Sequence, residues 1–177
     1  MSGVVMDSAG NLYGTTGDGT LVFELSPGAY GWTLTDLHDF TGGRNDGGLA
    51  YGGLVFDAQS NLYGATADGG LNNGGVVYEL TPSNGTWIYK SICNLPGGFG
   101  VYNSLTVGPD GSLYGAGMVF KLNQSDGTWT RTDLHDFTFN TEWFPQGGVT
   151  LDAHGNLFGT ASQGGADGWG VVWEITP

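Results

Sequence analysis

Cysteine, basic residues and long apolar runs are all scarce in this sequence. The single cysteine, Cys93, excludes an internal disulfide framework. No stretch approaches the roughly 18 consecutive apolar residues that a membrane helix needs. Glycine or proline interrupts every window in which an amphipathic helix could develop. These absences predict an all-β chain that does not insert into a membrane.

The shortage of basic residues excludes a large class of partners. Four Lys and Arg residues stand against 17 Asp and Glu residues, which gives a net charge of −13. Nucleic acids are held mainly by basic side chains that neutralise phosphates, so no nucleic-acid partner is expected. The sequence also contains no EF-hand loop and no Cys/His cluster. We therefore predict neither a metal nor a cofactor.

Glycine, in contrast, is abundant, and the glycines belong to a repeat. One turn motif recurs at steps of 50, 51 and 44 residues, each time followed by an aromatic residue. These aromatic residues are Tyr13, Tyr63, Tyr114 and Phe158. A fixed period of this length indicates one supersecondary unit copied along the chain.

The first copy shows what the unit is. Apolar or aromatic runs at 4–6, 12–16, 21–25 and 32–40 are separated by turns rich in glycine, asparagine and aspartate. Four short strands joined by tight turns form an antiparallel meander. A meander of roughly 40 to 50 residues is typical of a β-propeller blade. A β-sandwich or a prism made of the same hairpins is the alternative.

We therefore predict an all-β propeller of four tandem four-stranded blades in a single repeat domain, 1–177. The blades are expected at 3–40, 52–95, 103–137 and 147–177, and the last lacks its outer strand. Folded proteins usually avoid a bare apolar edge. Three alternatives follow: further blades in a longer polypeptide, a homodimer whose chains cover each other's edges, or a tolerated open edge.

A glycine directly follows each repeated aromatic residue. The four are Gly14, Gly64, Gly115 and Gly159. A glycine inside a strand usually marks the close approach of another group. We expect these glycines to make room for an aromatic ring of the neighbouring blade.

Several repeated segments carry a family resemblance. They are Asn11-Leu12-Tyr13-Gly14-Thr15-Thr16, Val22-Phe23-Glu24-Leu25 and Leu37-His38-Asp39-Phe40, followed by Gly43-Arg44-Asn45-Asp46-Gly47. This pattern resembles the Gloeo/Verruco (GloVer) tandem repeat over almost the whole chain. The resemblance implies a bacterial protein at the cell surface or outside the cell, with repeats in tandem and no assigned chemistry. Segment 1–7 has no charged region followed by an apolar one, so no signal peptide is expected in this chain.

Loops that vary between repeated strands are the expected place for binding residues, because a rigid scaffold holds them. These loops carry aromatic side chains beside Asn and Asp, which suit a neutral sugar: a ring stacks on a pyranose and amides bond its hydroxyls. The predicted ligand-binding residues are Asp46, Tyr51, Tyr102, Trp143 and Trp169. The alternative for the two tyrosines is that they plug the junctions between blades.

No catalytic residue is predicted. His38 and His135 each precede an aspartate, as a general base could, but no nucleophile motif accompanies them and we expect structural histidines. Asp7, Asp57 and Asp152 recur with the turn, where they either form it or help to bind calcium between blades.

The sequence-based hypothesis is a noncatalytic propeller module that binds a glycan or a protein ligand on its loop face. One alternative is a polysaccharide-cleaving glycoside hydrolase or lyase, and another is a structural spacer, so enzymatic activity stays an open question. A hydrolase would need two carboxylates at a fixed separation. The loop acids are Asp46, Asp68, Glu142 and Asp167.

Overall fold

The computed structural model describes residues 3–97, 100–137, 142–145 and 147–176, and leaves the side chains of 142–144 undescribed. Within these residues every regular element is a β-strand and none is a helix. The all-β prediction is therefore confirmed for the described part of the chain. The chain divides into two compact units, Met1–Ser104 and Leu105–Pro177.

The first unit contains two four-stranded antiparallel sheets and a short ribbon. The first sheet has the order β1 (Val5–Met6), β2 (Leu12–Thr15), β3 (Leu21–Gly28), β4 (Gly31–Asp39). The chain continues with β5 (Gly47–Gly48), β6 (Val55–Phe56), β7 (Leu62–Ala65), β8 (Asp68–Gly69), β9 (Val76–Ser83) and β10 (Thr86–Asn94). The second sheet is β6-β7-β9-β10, and β5 pairs with β8 in the ribbon. Both sheets are the meanders that the repeat predicts.

The second unit contains the other two sheets. The third meander is β11 (Thr106–Val107), β12 (Leu113–Gly115), β13 (Val119–Ser125) and β14 (Thr128–His135). The fourth sheet consists of β15 (Glu142–Pro145), β16 (Thr150–Leu151), β17 (Leu157–Gly164) and β18 (Val171–Ile175). Both β15 and β16 pair with one edge of β17, and β18 pairs with the other. Among the described residues, no strand pairs with the outer edge of β18.

An aspartate closes the turn between the first two strands of a sheet. The Asp7 carboxylate accepts hydrogen bonds from the backbone N–H groups of Ala9 and Asn11, both at 2.9 Å, and from the Asn11 side-chain amide at 2.9 Å. The Tyr13 hydroxyl donates a further bond at 3.1 Å. Asp57 and Asp152 close their turns with the same backbone and asparagine donors. The recurring aspartates therefore form turns.

The third repeat closes the turn between its first two strands with different residues. Gly108 stands where the other repeats have the turn aspartate, and Asp110 takes over by accepting a bond from Ser112 N–H at 3.1 Å. The Lys121 ammonium group lies 3.2 Å from the second Asp110 oxygen. Lys121 occupies the position at which the other repeats carry glutamate, so the charge change on the strand accompanies the change in the turn.

The repeated glycines do make room for aromatic rings, but these rings belong to the same repeat. Gly64 pairs directly with Tyr78 across the β7–β9 hairpin, and a Cβ at Gly64 would lie 2.5 Å from Cζ of Tyr78. The other three glycines lie under Phe23, Phe120 and Trp173 in the same way. The expectation that the ring comes from the neighbouring repeat was wrong. The ring of one strand thus occupies the space that a side chain would take at the glycine of the neighbouring strand.

The core of the first unit lies between its two sheets. Tyr13 and Val22 of the first sheet pack against Leu54, Leu62 and Tyr78 of the second. The ring of Tyr13 meets Phe56 and Trp87 edge-on, with centroids at 5.3 and 5.6 Å. Successive repeats therefore associate through complementary apolar faces, as repeat proteins require.

The outer strand of the first and of the third repeat also contributes to the face that the following repeat covers. A β-bulge interrupts β4 between Asp36 and His38, so that Leu37 and Phe40 both pack into the core. Phe40 contacts Tyr78 with centroids 5.1 Å apart. In the second unit, Phe137 contacts Trp173 at 5.7 Å in the equivalent position. The bulge turns apolar side chains of the strand end toward the following repeat.

We predict that Gly64→Ala destabilises the protein by about 1–3 kcal/mol, because the added methyl group overlaps the fully buried ring of Tyr78. Urea unfolding followed by tryptophan fluorescence measures the free energy of unfolding. The matched control is Gly17→Ala, because a Cβ at Gly17 meets no atom within 4 Å. Equal stability of the two variants would contradict the ring-over-glycine packing.

Candidate functional site

The connector between the first two sheets is organised by the carboxylate of Asp46. One carboxylate oxygen accepts hydrogen bonds from the backbone N–H and the hydroxyl of Thr41, both at 2.9 Å. The other accepts the Gly47 N–H at 2.8 Å and lies 3.0 Å from Nε2 of His38. Burial alone would raise the pKa of Asp46, but the hydrogen bonds from Thr41, His38 and Gly47 outweigh it and hold the pKa below its usual value.

His38 links this connector to the second sheet. Its imidazole stacks on the ring of Tyr89, with centroids 3.7 Å apart and planes 2° from parallel, and meets Phe40 edge-on at 4.8 Å. Burial and the negative charge of Asp46 raise the pKa of Tyr89. The aspartate that pairs with His38 is thus Asp46 and not the adjacent Asp39. Two aromatic rings and one carboxylate hold the imidazole in place, as expected for a structural histidine.

The loops around this cluster are held together by glycines. The ribbon strand β5 leaves no room for a side chain, because a Cβ at Gly47 would overlap Thr66. A Cβ at Gly74 would overlap the carbonyl of Pro96, and one at Gly100 would overlap the carbonyl of Ala67. Gly70 N–H donates to the Asp46 carbonyl at 2.7 Å. Backbone lies directly on backbone at these glycines, so the described parts of these loops are closely packed on one another.

Two of the predicted ligand-binding residues meet beside these loops. The rings of Tyr51 and Tyr102 are stacked with an offset, with centroids 6.2 Å apart and planes 10° from parallel. Their backbones are close as well, since a Cβ at Gly52 would lie 2.5 Å from the Asn103 carbonyl oxygen and Gly53 N–H donates to Ser104 Oγ at 3.0 Å. Tyr102 is 60% exposed. The exposed ring of Tyr102 is thus backed by the half-buried ring of Tyr51 on a closely packed backbone.

The other predicted ligand-binding residues are placed differently. Asp46 lies in the same unit, with both carboxylate oxygens already engaged by its own loop. Trp169 belongs to the second unit, where it is 91% exposed in a loop that contains Gly165, Gly168 and Gly170 at positive φ. The backbone of Trp143 pairs with Gln163 in the fourth sheet, but its side chain lies outside the described residues.

His38 and Tyr89 complete the Asp46 cluster, and reading the sequence did not assign them to it. A signal was present for the histidine, since His38 precedes the loop acid by only eight residues. No sequence signal pointed to Tyr89, because its place in the cluster depends on how the second sheet packs on the first.

The described residues offer no metal centre. No group of three or more His, Cys, Asp or Glu side chains among them is arranged to hold an ion. No helix in the described part of the chain is long and apolar enough to cross a membrane.

Comparison with known proteins shows a fold and no family. No protein-family model matches the sequence, and no curated protein matches it. Among solved structures, a gluconolactonase from Xanthomonas campestris superposes with a TM-score of 0.58 at 17% identity, covering 99% of this chain and 62% of that one. A provisionally assigned gluconolactonase gives a TM-score of 0.49 at 16% identity, covering 99% of this chain and 78% of the other.

The first of these likenesses supports a propeller-like fold for the array of four-stranded sheets. The chain spans 62% of the length of that structure. At this level of identity the activity of the gluconolactonase does not carry over, because one fold serves many functions.

We predict that Asp46→Asn lowers the free energy of unfolding at neutral pH by about 1–2 kcal/mol, because the carboxylate accepts three hydrogen bonds from its loop and a fourth from His38 of β4. The folded-state pKa is depressed, so this contribution is present above about pH 4 and is lost as the pH falls through the folded pKa.

Urea unfolding at a series of pH values from neutral to acidic measures this effect. The difference between wild type and Asp46→Asn should shrink on acidification. Asp39→Asn is the control, because Asp39 is exposed at the end of β4 and its replacement should change little at any pH. A wild-type advantage that stays constant down to pH ~3 would refute the role given to the ionised carboxylate.

Proposed function

We propose that this chain is a noncatalytic β-propeller module whose four repeats act as blades, and that it binds a neutral glycan through its loops. The parent protein is of the GloVer tandem-repeat type and is secreted or held at the bacterial cell surface. The observation that carries the proposal is the exposed ring of Tyr102, which stacks on the half-buried ring of Tyr51 over a backbone closely packed at glycine.

The tyrosine pair has the properties that a sugar site needs. An aromatic ring offers a large apolar face and, in tyrosine, a hydroxyl group for hydrogen bonding. Because the backbone around Gly52 and Gly53 is closely packed, little conformational entropy is lost on binding. Asn103 follows Tyr102 in the sequence, and a side-chain amide can bond sugar hydroxyls as donor and acceptor.

Charge supports a neutral ligand over an anionic one. The chain carries a net charge of −13 with four basic residues, and a surface of this sign repels polyanions. Neutral polysaccharides avoid this repulsion, and aromatic stacking does not depend on charge.

The state of Asp46 argues against a role as the general acid of a hydrolase. A glycoside hydrolase needs one carboxylic acid to give a proton and a second carboxylate to attack or to activate water. Both oxygens of Asp46 accept hydrogen bonds from its own loop, and these bonds depress its pKa. A general acid requires the opposite shift.

We predict that at least one soluble neutral polysaccharide, from a panel of a β-glucan, a xylan and a galactomannan, retards the protein in affinity gel electrophoresis. Tyr102→Ala should weaken the apparent affinity by about tenfold or more, since an exposed aromatic anchor contributes ~1–2 kcal/mol. The matched control is Tyr30→Ala, because Tyr30 is fully exposed at the β3–β4 turn and should bind as wild type does.

The same assay separates the alternatives. Trp169→Ala tests the predicted residue in the second unit independently. No retardation by any polysaccharide, or unchanged binding by Tyr102→Ala, would remove the proposed site. Release of reducing ends from these polysaccharides, abolished by Asp46→Asn in a folded variant, would show a hydrolase instead.

A further inference from the structure

One face of the first sheet is apolar and exposed. The exposed side chains on this face are those of Val4 (52% exposed), Met6 (66%), Trp32 (55%) and Leu34 (58%). We call these four residues the leading face. The strand register places them together: Met6 is opposite Leu12, which is opposite Leu25, which is opposite Leu34. Residues opposite one another in antiparallel strands share a face. Contiguous exposed apolar surface of this kind marks an interaction site.

The second repeat shows what covers such a face. Its equivalent residues are Leu54, Phe56, Trp87 and Tyr89, and all four pack into the core of the first unit. What covers them there is the opposite face of the preceding repeat. Tyr13 of that repeat contacts Phe56 and Trp87, and Val22 lies in the same cluster as Leu54.

The last repeat leaves part of that opposite face exposed. Its equivalents of Tyr13 and Val22 are Phe158 and Val172, which we call the trailing face. Phe158 is half-buried and Val172 is exposed. Val172 is 80% exposed, whereas Val22 and Val119 at the same repeat position are 0% exposed. In the second unit Val119 is covered by the fourth repeat, in a cluster with Val149 and Trp173. The leading face and the trailing face thus correspond to the two halves of a contact that each unit already makes internally.

We propose that a second copy of this chain covers these faces, with the trailing face of one molecule packed on the leading face of the next. Phe158 then lies against Met6 and Trp32, as Tyr13 lies against Phe56 and Trp87. Val172 lies against Val4, as Val22 lies in one cluster with Leu54. The contact joins two different surfaces, so the assembly is heterologous and forms a ring or a chain of copies.

Electrostatics adds a property that distinguishes this contact. Each copy carries a net charge of −13, so association of copies is opposed by long-range repulsion. The interface itself is apolar. Salt screens the repulsion and leaves the apolar contact intact, so oligomers should increase as salt is raised.

We predict that sedimentation velocity on the wild-type chain shows concentration-dependent oligomers that grow with added salt. Met6→Glu on the leading face and Val172→Glu on the trailing face should each be monomeric. Tyr30→Glu is the matched control, since it introduces the same charge at an exposed hairpin turn outside both faces, and it should associate as wild type does. Circular dichroism checks that each variant is folded.

Mixing the two monomeric variants is the decisive step. Met6→Glu retains a trailing face and Val172→Glu retains a leading face, so an equimolar mixture should give a 1:1 dimer and nothing larger. A wild type that stays monomeric up to ~100 μM would overturn the proposal, because apolar interfaces of standard size reach micromolar affinity or better. Oligomers that survive either substitution, or a mixture that stays monomeric, would overturn it too.

Discussion

Burial of one repeat's apolar face by the next repeat is the interaction on which the described structure depends. A four-stranded sheet with apolar residues on both faces cannot bury both by itself. In the first unit, Leu54, Leu62 and Tyr78 of the second repeat are buried by side chains of the first. The second unit repeats the arrangement, where Phe137 of the third repeat contacts Trp173 of the fourth. The stability of a repeat therefore depends on having a neighbour.

Glycine connects this packing to the candidate site. In the strands, Gly64 and its equivalents leave room for a ring from the neighbouring strand of the same repeat. In the loops, Gly47, Gly74 and Gly100 let one connector rest directly on another. Closely packed loops are a suitable support for exposed aromatic side chains such as Tyr102, because a preorganised site loses less entropy when a ligand binds. The same residue type serves stability in the sheets and recognition in the loops.

The sequence was sufficient to predict the repeat, the meander and the turn aspartates, because each depends on residues close together in the chain. The sequence led to the wrong partner for the repeated glycines, because a ring from the same repeat and a ring from the neighbouring repeat produce the same periodic pattern. The strand register shifts by one residue at the bulges Leu37, Ile92 and Leu134. The composition of a strand does not predict where such a shift occurs. The bond between His38 and Asp46 was missed because it depends on how the connector folds back.

A double-mutant cycle on Phe40 and Tyr78 tests most directly whether contact between successive repeats stabilises the fold. These rings belong to different repeats and lie 5.1 Å apart. Urea unfolding of Phe40→Leu, Tyr78→Leu and the double variant gives the coupling free energy. We expect a favourable coupling of about 0.5–1.5 kcal/mol, as measured for aromatic pairs in contact. Effects that add to within ~0.3 kcal/mol, as they do for independent sites, would contradict the central claim.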